Sequence, residues 1–162
     1  MITIGLLIVD KEMVHQELNM IQNCITRMAD NSFQLRKWYM SMVFIGGGFC
    51  YQQNINAEPF VNMLIVMTLI FWGLDTFFLR LERLYRRKYA WIIKNRVTGN
   101  TELFYNLDPY EERMWLPNNE YNGPSTSPFY CFISKTLWPL YFPVIVFAFI
   151  YFYRLGKWPF SF

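Results

Sequence analysis

Apolar residues crowd into three stretches of this chain and thin out between them. One is 60–78, where 19 residues hold one ionisable side chain, Asp75. A helix of that length rises about 1.5 Å per residue, close to the ~30 Å of a bilayer's hydrocarbon core. No Gly or Pro follows Gly73 until Gly99, so the pattern predicts one helix that leaves the membrane and continues into solvent over 79–96. A second run, 136–153, lies between Lys135 and Arg154, with Pro139 and Pro143 in its first turns, where proline is cheapest or makes a kink. The third, 33–52, has the shortest purely apolar part, and Trp38, Tyr39 and Tyr51 suit its interfacial ends. Gly46, Gly47 and Gly48 would weaken this helix in water. In a membrane they permit close helix contact or a kink, with a glycine break and a re-entrant segment as the alternative.

Residues 10–31 repeat apolar positions at Val14, Leu18, Ile21, Ile25 and Met28, a narrow stripe with polar residues around it. Such a helix is too polar to span a bilayer. Phe77, Leu81, Leu84, Lys88 and Trp91 follow the same rhythm, so the two amphipathic segments are expected to pack together as a stalk. Asn31-Ser32 either interrupts the first helix or lets it continue. Residues 52–58 read as a short polar turn between antiparallel spans. The connection 97–132 is rich in Pro, Asn and Gly, yet it carries Phe104, Tyr105, Tyr110, Trp115 and Tyr121. A solvated linker does not need these aromatics, so it is expected to dock on the stalk or on a partner.

The expected fold is therefore an all-α integral membrane protein forming one membrane domain over 1–162. It has three transmembrane helices (33–52, 60–78 and 136–153). A cytosolic helical stalk joins the N-terminal helix, 10–31, to the 79–96 extension of the second span. The hydrophobic content of 54% and the mean hydropathy of +0.12 fit such a mixture of apolar spans and polar segments.

Charge placement orients these spans. Thirteen Lys and Arg fall on the N-terminal flank and on the connection between the second and third spans, against two, Arg154 and Lys157, on the tail. The turn carries none. By the positive-inside rule the N-terminus is cytoplasmic and the C-terminus outside. Residues 1–9 are apolar but lack a basic start, and acids follow, so no cleaved signal peptide is expected.

Candidate chemistry is sparse. The single histidine, His15, has Glu12 and Asn19 as helical neighbours, a commonplace arrangement without an organised partner. Cys24, Cys50 and Cys131 have no paired spacing, and no phosphate loop or zinc motif is present. No catalytic, cofactor or metal site is expected. Asp75 stands out, because a carboxylate within a span must face protein or water. It reads as a near-interface acid paired with a stalk arginine or a neighbouring span, or as a polar element of a pore or subunit contact. Arg80, Arg83, Arg86, Arg87 and Lys88, just beyond the span, are candidates for anionic lipid heads or a partner. Nucleic acid is the less favoured reading.

Three segments carry a resemblance: QNCITRMADNSF at 22–33, FWGLDTFFLRLERLYR at 71–86 and FISKTL at 132–137. Through them the chain resembles small bacterial multi-pass membrane proteins that recur beside anti-phage defence and mobile-element genes. Pro139 and Pro143 depart from that pattern. The resemblance implies an inner-membrane protein that acts as a defence effector, or as an accessory to such a system. Together these readings favour a non-enzymatic homo-oligomer assembled through Gly46, Gly47, Gly48 and Asp75, which permeabilises the bilayer. The alternative is a membrane anchor or regulator whose stalk and aromatic loop recruit a soluble protein encoded nearby.

Overall fold

A computed structural model describes residues 2–52, 58–98, 100 and 102–155. They are all-helical: α1 (Ile2–Gln52), α2 (Glu58–Val97), a 3-10 turn at Glu112–Met114, α3 (Pro128–Phe132) and α4 (Trp138–Leu155), with no strand among them. Two helices are long and apolar enough to cross a membrane, Glu58–Arg96 within α2 and the whole of α4. The 33–52 stretch does not reach that threshold. Most of the expected 52–58 turn, and Lys157 in the tail, lie outside the described residues.

Asn31-Ser32 does not interrupt α1, and Gly46 to Gly48 do not break it. Ser32 explains the first result, since its buried hydroxyl has a partner across the helix interface and no need to cap a helix end. Gly46 explains much of the second: the ring of Phe60 lies where a side chain would stand. The helix thus gains a packing partner that offsets its poor glycine propensity. The third apolar helix starts at Trp138, two residues later than expected, with Pro139 near its start and Pro143 within it.

The chain divides into two compact units. The first comprises residues 1–30 and 79–126. Ile21, Cys24, Ile25 and Met28 of α1 are buried there, as are Leu84, Tyr85, Trp91 and Ile92 of α2. The inward face of α2 keeps Leu84, Lys88 and Trp91 of the expected stripe, while Leu81 is half-buried and Phe77, in the other unit, is 48% exposed. Glu17 and Arg96 lock α1 to α2 through two hydrogen bonds of 2.9 Å each, and both side chains are buried. Arg96 also donates to the carbonyls of Asn100 (2.7 Å) and Glu102 (2.8 Å), with its guanidinium over the rings of Phe104 and Trp91. Glu17 accepts from the Tyr105 amide at 3.2 Å. These bonds hold a turn in which Leu103 (φ 54°) and Tyr105 (φ 57°) occupy the left-handed region that non-glycine residues avoid.

The second unit comprises residues 31–78 and 127–162. Its described helices run up, down and up. Tyr39 meets Thr68 and Gly46 meets Phe60, so α1 is antiparallel to α2. Val61 and Ile65 pack with Ala148 and Phe152, and Trp72 stacks on Tyr141, so α4 is also antiparallel to α2. The buried face of α2 follows one stripe, Val61, Ile65, Thr68, Trp72, Asp75 and Leu79. The outward face stays apolar, with Phe44, Ile45, Phe147, Phe149 and Ile150 all more than half exposed.

Removing one member of a buried ion pair strands the other charge, at a cost of about 3–5 kcal/mol. Arg96→Ala is expected to destabilise the first unit by about that much, and Glu17→Leu with Arg96→Met to recover most of it. Denaturant unfolding followed by circular dichroism measures both. Equal stabilities for wild type and Arg96→Ala would refute the clamp.

Candidate functional site

A fully buried carboxylate must be neutralised by neighbours, and Asp75 has them on α1 and α4. From α1, Ser32 donates its hydroxyl to Oδ1. One turn on, Arg36 donates Nε to Oδ2 (2.8 Å) and Nη2 to Oδ1 (3.4 Å), a two-pronged grip. Arg36 Nη2 also reaches the Ser32 hydroxyl at 3.0 Å. From α4, the Tyr141 hydroxyl donates to Oδ2 at 3.1 Å. The hydrogen bonds of Asp75, read as a candidate for contact between copies, are thus met within its own chain. The arginine that grips Asp75 is Arg36 of α1, where a stalk arginine or a neighbouring span was expected as the partner.

The polar line extends along the same seam. Tyr39 lies 5.0 Å from Tyr141 between ring centroids, and its hydroxyl pairs with that of Thr68 at 3.0 Å. Thr68 donates to the Leu64 carbonyl at 2.6 Å. Among the described residues, every buried polar side-chain atom has a partner. Toward the far end of the hairpin the seam opens into an apolar groove of about 450 Å³, lined by Tyr39, Met42, Gly46, Phe49, Phe60 and Met63 among others. Gly46 is closed off by Phe60, whereas a side chain at Gly47 or Gly48 would meet nothing within 4 Å. The three glycines thus divide: one packs within the chain and two face open space.

The basic cluster of the first unit is largely spent on the connection that follows it. Arg80 donates to the Thr126 carbonyl (3.3 Å) and lies over Tyr110. Arg83 donates to the Ser125 carbonyl at 2.9 Å. Arg87 gives both Nε and Nη2 to the Leu116 carbonyl and lies over Trp115 and Tyr121. Arg86 makes the helical pair with Glu82 at 2.6 Å and stays exposed. Lys88 is completely buried and donates to the Asp108 carbonyl (2.8 Å) and Asn106 Oδ1 (3.4 Å). Four of the five candidate lipid or partner cations thus fasten the aromatic segment, which docks on α2 as expected. Arg86 is the member most open to an outside anion. His15 is exposed, and no group of three or more metal-ligating side chains occurs among the described residues.

Ser32, Arg36 and Tyr141 are the functional partners that sequence reasoning missed. The signal for Ser32 and Arg36 was the stripe Ile21, Ile25, Met28 continued at the same spacing, which reaches Ser32 and Tyr39 and passes beside Arg36, whereas Tyr141 lies on α4. No protein-family model, curated protein or solved structure matches the chain.

Burial pushes the Lys88 ammonium below its ordinary 10.5, while the charges of Asp108, Glu111 and Glu17 pull it back up. The folded chain then sheds this proton before the unfolded chain does. Between the two values the unfolded state binds more protons, so this group adds stability as pH rises toward 10.5. Comparing unfolding midpoints of wild type and Lys88→Met across alkaline pH isolates the contribution. The wild type should gain on the variant as pH rises, and parallel curves would refute it.

Proposed function

We propose that the chain is a non-enzymatic inner-membrane protein with three spans, in 33–52, 60–78 and 136–153, and a cytosolic helical stalk. In this reading the stalk and its docked aromatic segment form a membrane-anchored regulatory or recruiting module. One observation carries it: large exposed apolar side chains are concentrated in the second unit, while Arg80, Arg83, Arg87 and Lys88 of the first donate hydrogen bonds within the chain. A surface of Phe, Ile and Val is stable against lipid and a liability in water. The 33–52 segment, too weakly apolar to qualify alone, is supported as a span by its packing on α2, where Arg36 is neutralised by Asp75.

Labelling single cysteines at Gln52 and Asn118, in a background lacking the native cysteines, tests the topology. Gln52→Cys should react with an impermeant maleimide in intact cells, and Asn118→Cys only after permeabilisation. The reverse pattern would overturn the orientation, and equal reactivity would remove the spans.

A second reading, self-assembly through the spans into a membrane-permeabilising defence effector of the kind the resemblance implies, is favoured by Gly47 and Gly48 beside the apolar groove. Asp75 does not support it, being enclosed in its own chain. Because a side chain at Gly47 has room, Gly47→Leu should leave the fold intact and disperse an oligomer about tenfold or more in mild detergent, read by sedimentation. A wild type that stays monomeric in detergents and nanodiscs would end this reading.

A further inference from the structure

We propose that α3 is an aromatic foot that seats in the boundary between lipid headgroups and acyl chains, on the cytoplasmic leaflet. The inference rests on the three-span reading and deepens it, because 128–132 was expected to belong to a cytosolic connection. The segment instead groups with the second unit. Its inner side is fixed: Phe132 stacks on Trp72 with centroids 4.2 Å apart and planes 9° apart, and the Trp72 indole donates to the Phe132 carbonyl at 3.0 Å. Cys131, within α3, and Leu137, shortly after it, are fully buried.

The outer side is bare. Phe129, Tyr130 and Ile133 are 68%, 66% and 51% exposed. A one-turn helix has no reason to present three large apolar side chains to water while its inner face is saturated. The lipid boundary is the occupant that fits, for three reasons. Trp72, the anchor of the foot, lies six residues inside the end of the 60–78 apolar run. That is about 9 Å along the helix, within the ~5–10 Å depth at which interfacial helices bury their apolar face. Trp138, Phe142 and Phe147 of α4, the helix that follows α3 in the chain, are 44%, 37% and 62% exposed, so α4 offers lipid an apolar surface as well. Finally, the exposed Lys135 suits anionic headgroups, and the mixture of Phe, Tyr and Trp is that of an interfacial belt.

Spin labels placed singly at Tyr130→Cys, Phe147→Cys and Asn118→Cys test this on the full chain, in nanodiscs of phosphatidylethanolamine and phosphatidylglycerol. The readout is collision with oxygen relative to a water-soluble nickel chelate. The ratio should be highest at Phe147 and lowest at Asn118, with Tyr130 several-fold above Asn118. A label at Phe129→Cys should repeat the result, and both exposed sites accept the change without loss of buried contacts. If Tyr130 matches Asn118 while Phe147 stays oxygen-rich, the foot is in water and the proposal fails with the spans intact. If Phe147 is also nickel-accessible, the three-span reading fails with it. Strong dipolar broadening between Tyr130 labels would mean that a second copy covers the face, which also overturns the lipid assignment.

Discussion

A charge that water cannot reach must be met by the chain itself, and Asp75 makes this requirement organise its unit. Its partners lie on α1 and α4, so two helix interfaces converge on one carboxylate. The same contacts fix register. A one-turn slide of α1 along α2 would bring Met28 toward Asp75, leaving a buried charge against a thioether. Hydrophobic packing alone tolerates such slips. A buried charged group with directional hydrogen bonds discriminates among them, at some cost in stability.

The first unit solves a related problem with other chemistry. A segment rich in Pro and Asn forms few regular backbone hydrogen bonds, so its carbonyls need donors from elsewhere. The arginines of α2 supply them: Arg80, Arg83 and Arg87 each reach a carbonyl of the 116–126 stretch. Aromatic rings over Arg80 and Arg87 cover the planar guanidinium faces. The positive charges of this part of α2 thus serve as the fastening of a loop.

Much of this was legible in the sequence. The uninterrupted passage from the 60–78 run into 79–96 followed from the absence of a breaker, and α2 spans both. Asp75 announced itself as the one ionisable residue of an apolar run. Its partners did not, because they come from positions 39 to 66 residues away and depend on how three helices are rotated. The cation cluster was misweighed for a plainer reason. Charge patterning identifies anions as partners, whereas most acceptors used here are backbone carbonyls, which no composition reveals. Continuity through Asn31-Ser32 was undecidable locally, since the bond that favours helix there is made 43 residues away.

The connection is tied down at two places by ion pairs of different character. At one end, Glu17 and Arg96 are enclosed. Near the other, Lys94 and Glu120 meet at 2.8 Å with both side chains about half exposed. Dissolved ions shield the exposed pair and barely touch the enclosed one, because screening acts through solvent over about 8–10 Å at physiological salt. Rising ionic strength therefore weakens the contact at Glu120 and leaves the strained turn at Leu103 and Tyr105 in place. A single stretch of chain so acquires a salt-responsive end and a salt-indifferent one.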